Sequence, residues 1–182
     1  PSFADHVSLP WVYAFSAVYK IFQASNLTDN ITFIASGKLG LPAQAIMAFA
    51  MGADVINVAR EAMISIGCIQ AQSCHTNRCP TGIATNNKWL ESGLDPTLKS
   101  HRFSNYMRTM AKEITEITHA AGYEHPCQFG MNDIDLSMGD NNMTRSLAQT
   151  YGYLKVPVKF EGIESLLKCQ HLGMRKIHTK EA

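Results

Sequence analysis

The chain has 182 residues, 46% hydrophobic and 17% charged, with sixteen Lys and Arg against fifteen Asp and Glu. That composition belongs to a globular protein with a core and excludes a disordered one. A net charge of +1 leaves no electrostatic footprint for nucleic acid or an anionic membrane, and no apolar run approaches the roughly 20 residues of a bilayer-spanning helix. The start carries no basic, apolar, small-residue pattern of a secretory signal, so the expected setting is cytoplasmic. Cysteines stand at 68, 74, 79, 127 and 169. The count is odd and three are crowded together, which in a reducing compartment points to metal or catalysis rather than disulfides. The first residue is Pro1, so a processed chain or a piece of a longer one is expected.

In chain order, Pro10 to Ser25 reads as a helix, with Trp11, Phe15, Val18 and Phe22 forming an apolar stripe. Ile31 to Ser36 reads as a short strand, apolar on both faces, of the kind found in buried parallel sheets. Gly37-Lys38-Leu39-Gly40 forms a turn, and Pro42 to Met51 reads as a helix burying Ala43, Ile46, Met47 and Ala50. Gly52 ends that helix, and Asp54 to Ala59 is a second strand. Strand, glycine turn, helix and strand make a βαβ unit with two parallel strands. Glu61 to Ile66 looks helical and stops at Gly67. Cys68 to Thr85, with Pro80 and Gly82, reads as loop. A long helix follows from Leu98 to Ala121, with Phe103, Tyr106, Met107, Met110, Ile114, Ile117 and Ala121 as its stripe and Gly122 as its stop. Gly130 to Asn142 favours turns. Ser165 to Cys169 is expected as a short helix and Arg175 to Ala182 as a frayed end. The histidines at 6, 101, 119 and 178 read as surface residues, and Trp11 and Trp89 as packing. Asn57 fits equally a satisfied core position and a ligand contact.

Two motifs carry chemistry. Cys68-x5-Cys74-x4-Cys79, followed by Pro80, places three thiols in one loop. Three readings are open: a zinc site with His75 as fourth ligand, an iron–sulfur cluster, or three unconnected thiols. Structural zinc sites favour cysteines two to four residues apart, usually as two pairs, whereas thiolates also hold iron–sulfur clusters. The second motif is the glycine turn after the first strand. Backbone N–H groups at a strand-to-helix junction can receive phosphate; Gly37 and Gly40 permit the turn, and Lys38 adds charge. A structural turn is the plain alternative. Small Ala59 and basic Arg60, at the end of the second strand, would sit beside it, much as the last two loops of a barrel build a phosphate site together.

The stretches Ile34-Ala35-Ser36-Gly37-Lys38-Leu39, Gly52-Ala53-Asp54, Gly67-Cys68-Ile69, Cys74-His75 and Cys79-Pro80-Thr81-Gly82-Ile83-Ala84-Thr85 resemble the FMN-binding domain of glutamate synthase. Ala4-Asp5-His6-Val7 and Leu9-Pro10-Trp11 are similar to the stand-alone members of the FMN-binding glutamate synthase family, as is the tail with Asp133-Ile134-Asp135 and Met138-Gly139-Asp140. The close resemblance covers residues 3–125 and favours iron–sulfur over zinc. It implies an α/β fold that is the C-terminal part of a (β/α)8 TIM barrel, its last two βα units, with a cysteine-rich loop. Residues 1–125 would form that portion and residues 126–182 a helical C-terminal extension. Ser36, Gly37, Lys38, Ala59 and Arg60 fall where the family binds FMN phosphate. Cys68, Cys74 and Cys79 fall on the ligands of its 3Fe-4S cluster. The implied reaction is glutamate biosynthesis: ammonia from glutamine joins 2-oxoglutarate, and the 2-iminoglutarate formed is reduced to L-glutamate by the flavin, with electrons arriving through the cluster. The implied partners are an amidotransferase and an electron donor, either ferredoxin or NAD(P)H-dependent. An N-methylglutamate synthase subunit, a non-catalytic metal-binding remnant and a degenerate fragment are the alternatives.

Two departures are visible. Members often carry a second glycine where this chain has Lys38, and Gly-Thr where it has Ala59-Arg60. A complete barrel needs about 250 residues and eight strands, and two strands are legible. The isolated chain is therefore expected to be inactive, its catalytic residues lying in strands it does not contain.

Overall fold

The computed structural model describes residues 8–139 and 143–153. The expected helix at 165–169, the frayed end, His6, His178 and Cys169 lie outside them. Helix α1, Trp11–Ala24, starts after Pro10, whose carbonyl accepts from Tyr13 and Ala14. Its inward side carries Trp11, Val12, Phe15 and Tyr19. Val18, expected inward, is exposed. A single 3-10 turn, Thr28–Asn30, leads to strand β1, Ile34–Ser36. Helix α2, Pro42–Ala50, ends with Met51 and then Gly52 at φ +98°, the left-handed stop expected from the sequence. Strand β2, Val55–Asn57, pairs in parallel with β1, Ile34 opposite Val55 and Ser36 opposite Asn57.

Both strands are shorter than their sequence suggests. The Phe33 N–H donates to the Asp54 carboxylate at 2.7 Å, not to a strand carbonyl, so regular pairing begins one residue later. The sheet is also not buried on both faces. Ala35 is buried towards the helices, whereas Ile34 (64% exposed) and Val55 (40%) share an open face with Ser36 and Asn57. Asn57 thus lies on this open face rather than among the buried residues described.

Helix α2 is enclosed on more than one side. Ala45, Ile46, Ala48 and Ala50 are buried, and Ala43, expected inward, is exposed. One cluster joins Ala35, Leu39, Ala48 and Ala53 under the sheet. A second joins Ile46, Ala50 and Met51 to Phe129, Met131, Leu147 and Tyr153. Helix α3, Arg60–Ser65, follows β2 and ends before Gly67 at φ +111°. After the cysteine loop come α4, Lys88–Glu91, and α5, Pro96–Ala120, which the Asp95 carboxylate caps through the Thr97 N–H. Helix α5 buries a narrower stripe than expected: Met110 and Thr118 are buried and Tyr106 and Ile114 half-buried, while Phe103, Met107, Ile117 and Ala121 are exposed.

The segment after Gly122 is not mainly helical within the described residues. A 3-10 turn, Pro126–Gln128, precedes strands β3, Asp135–Ser137, and β4, Thr144–Ser146, an antiparallel hairpin where turns alone were expected. Ile134 and Leu136 face inward by the two-residue strand period. Helix α6, Leu147–Tyr151, follows under a capping box formed by Ser146 and Gln149. The chain then reaches Tyr153, whose ring stacks on Tyr19 at 4.6 Å and whose hydroxyl donates to the Met51 carbonyl at 3.0 Å. The fold is thus mixed α/β with two small sheets. No helix among the described residues is long and apolar enough to cross a membrane.

Candidate functional site: paired βα turns and a thiol loop

Because Ser36 pairs with Asn57 in parallel register, the segments leaving β1 and β2 emerge from the same end of the sheet. Ser36-Gly37-Lys38 and Ala59-Arg60 therefore lie on adjacent turns. Gly37 has φ +141° and Lys38 φ +58°. A lysine in the left-handed region costs roughly 1–2 kcal/mol that glycine does not. Ser36 and Lys38 are exposed, and Ala59 is exposed at the start of α3, with Arg60 half-buried behind it.

The turn is packed tightly from behind. A Cβ at Gly37 would lie 2.7 Å from Trp11 Cβ, so α1 backs the first glycine. A Cβ at Gly40 would overlap the Glu61 side chain from α3. Tyr106 on α5 donates its hydroxyl to the Gly40 carbonyl at 2.8 Å. Burial, and then the charge of Glu61, raise the Tyr106 phenol above its ordinary value.

The cysteine loop is built differently. Three non-glycine residues, Gln70, Gln72 and Asn77, have φ between +56° and +60°. Asn77 organises the second half: its carbonyl and Oδ1 accept from the Thr85 hydroxyl, and Oδ1 also accepts from the Asn86 N–H. Gly82, φ +75°, sits so close to the Leu90 carbonyl that a side chain has no room. Cys68 is half-buried and its sulfur accepts from the Gln70 N–H at 3.4 Å. Cys74 and His75 are exposed. Cys79 is 7% exposed, with Sγ 3.3 Å from Thr81 Oγ1. That hydroxyl, the Ala84 N–H and, more weakly, the Thr81 and Ile83 N–H groups draw the thiol down to about 7, against the opposing effect of burial.

Adjacent turns carrying Lys38, Arg60 and exposed strand-end backbone suit a phosphate. The thiols, two of whose sulfurs accept hydrogen bonds, suit thiolate ligation, since such bonds tune cluster sulfurs. Among the described residues, no three His, Cys, Asp or Glu side chains converge on one metal-binding point. Sequence reasoning missed Tyr106, Glu61, Thr81 and Asn77. Thr81 stood inside the Cys79–Thr85 motif and Tyr106 in the helix stripe without a role, and Asn77 left a signal as an Asn in a stretch that must turn. Trp89, expected to pack, is 81% exposed on the short α4.

The parallel βαβ unit with its paired turns places the chain among α/β proteins, and comparison with known sequences specifies the family. The model described as the conserved region in glutamate synthase matches residues 1–124. The chain is 37% identical over 131 residues to the glutamate synthase large subunit-like protein YerD of Bacillus subtilis, covering 72% of this chain and 25% of that protein. It is 32% identical over 154 residues to an archaeal glutamate synthase [NADPH] of Methanocaldococcus jannaschii, covering 85% and 29%. A ferredoxin-dependent glutamate synthase of Pyropia yezoensis is 31% identical over 145 residues, covering 78% and 9%. The chain belongs to the glutamate synthase family. It spans under a third of the length of each of these relatives.

Proposed function

We propose that the chain is the FMN-phosphate and iron–sulfur portion of a glutamate-synthase-type oxidoreductase, forming the last two βα units of a (β/α)8 barrel. The observation that carries this reading is the emergence of Ser36-Gly37-Lys38 and Ala59-Arg60 from one end of a parallel strand pair. The open face of Ile34, Ser36, Val55 and Asn57 supports it, because parallel sheets are ordinarily covered on both sides. In this reading residues 1–125 are the barrel portion and 126–182 the extension.

The residues have distinct tasks. Backbone N–H groups of the 37–38 turn and the charges of Lys38 and Arg60 bind and orient the FMN phosphate. Cys68, Cys74 and Cys79 hold a 3Fe-4S cluster, with Thr81, Ile83 and Ala84 stabilising the Cys79 thiolate. When bound, FMN supplies hydride chemistry and the cluster one-electron transfer, leaving the protein to place them. The substrates are 2-oxoglutarate with ammonia or glutamine, and the product is L-glutamate. An amidotransferase and a ferredoxin- or NAD(P)H-dependent donor are the partners, in the cytoplasm, where thiols stay reduced.

The test is anaerobic turnover by the full-length protein that contains this chain, with reductant, 2-oxoglutarate and either glutamine or ammonium. L-Glutamate formation that requires bound flavin is expected, and none from residues 1–182 alone. A flavin-free protein that forms no glutamate contradicts the reading.

A further inference from the structure

We propose that Tyr106, with Glu61, is a positioning residue that holds the 37–40 turn in the shape that receives the flavin phosphate. The inference rests on the FMN reading above and adds residues that neither turn sequence contains.

The geometry is specific. Tyr106 lies 66 positions from Gly40 in sequence, on the face of α5 that packs inward, and its hydroxyl donates to the Gly40 carbonyl at 2.8 Å. The same oxygen is 3.4 Å from Met110 Sδ, a weak acceptor, so the carbonyl takes the proton. Gly40 is buried. In a planar trans peptide the carbonyl and the following N–H point in opposite directions. Fixing the Gly40 carbonyl towards α5 therefore fixes the Gly40–Leu41 peptide plane, where the turn enters α2. Glu61 closes the other side. Its side chain occupies the space a Cβ on Gly40 would need, and it is the immediate neighbour of Arg60. One contact thus ties the first phosphate turn to the second. Trp11 backs the turn at Gly37, so the strained Lys38, φ +58°, is gripped on both flanks. The contacts at Gly37 and Gly40 restrain the turn on either side of this unfavourable conformation.

The test is flavin titration of the full-length protein containing this chain, comparing FMN with riboflavin, which lacks the phosphate. Tyr106→Phe removes only the hydroxyl. The expected result is an FMN Kd raised about three- to ten-fold, the effect of one neutral hydrogen bond, with the riboflavin Kd unchanged. Glu61→Asp keeps the negative charge but shortens the side chain that packs against Gly40; it is expected to shift the same ratio in the same direction and decides alone if Tyr106→Phe does not fold. A general loss of packing would weaken both flavins together. An FMN preference that is undiminished in the folded variants, or a loss shared equally with riboflavin, overturns the positioning role. A wild-type protein with no preference for FMN over riboflavin instead removes the phosphate reading, and this inference falls with it.

Discussion

The βαβ unit and the cysteine loop lie next to each other in sequence but are held by different forces. In the first, Ala35, Leu39, Ala45, Ala48, Ala50 and Ala53 are buried, and small side chains let α2 approach the sheet closely. In the second, only Cys79 and Gly82 are buried across residues 68–87, and the shape rests on Asn77, Thr81, Thr85 and Asn87 accepting or donating local hydrogen bonds. Apolar burial fixes the turns without help from a ligand. Local polar bonds set the loop's path but leave Cys74 exposed and the three thiols ungathered among the described residues.

The contrast is sharpest in stability. Leu39, fully buried within the 37–40 turn, is expected to cost about 2–5 kcal/mol when truncated to Ala, through lost burial and the cavity left behind. Ile69, exposed in the cysteine loop, is expected to cost within about 0.5 kcal/mol. Urea unfolding of both variants measures this, and equal costs would erase the distinction between the two regions.

Gly82→Ala probes the loop alone. Its φ of +75° and the abutting Leu90 carbonyl leave no relaxed place for a methyl group, so about 1–3 kcal/mol of strain is expected. Hydrogen exchange should quicken across residues 77–91 while amides of α2 keep their protection. Loss of protection in α2 would show that the loop and the core unfold as one unit.

The smallest effect concerns the end of the βαβ unit. Burial raises the Asp54 carboxyl above its ordinary value, opposed by the hydrogen bond from the Phe33 N–H. An acid whose native value is raised stabilises the fold fully below its unfolded value of about 4 and loses that contribution as pH climbs through the native value. Asp54→Asn keeps an acceptor for Phe33 without a charge. Thermal melts from pH 3 to 7 should therefore lose this decline in the variant, and parallel curves for both proteins would contradict the assignment.

How much was legible follows the same division. The helices and the βαβ order were readable because Trp11, Phe15, Ile46, Gly52 and Gly122 obey periodic and capping rules that act locally. Strand ends were not, because the Phe33 N–H goes to a side chain 21 residues away. The β3–β4 hairpin was hidden by its composition: the inward Ile134 and Leu136 stand in a stretch rich in Gly, Asn and Asp. The thiols were visible as residues, but their spacing does not encode the left-handed conformations at Gln70, Gln72 and Asn77 that set their path. Tyr106 looked like one more member of a helical stripe; its role depends on a carbonyl it meets only after folding.

The most direct test of the central claim is the iron, acid-labile sulfide and FMN content of the full-length protein containing this chain, purified without oxygen. The account predicts flavin together with iron and sulfide in the three-to-four ratio of a 3Fe-4S cluster. Zinc in place of iron, or a flavin-containing protein with neither metal nor sulfide, would contradict the assignment of Cys68, Cys74 and Cys79.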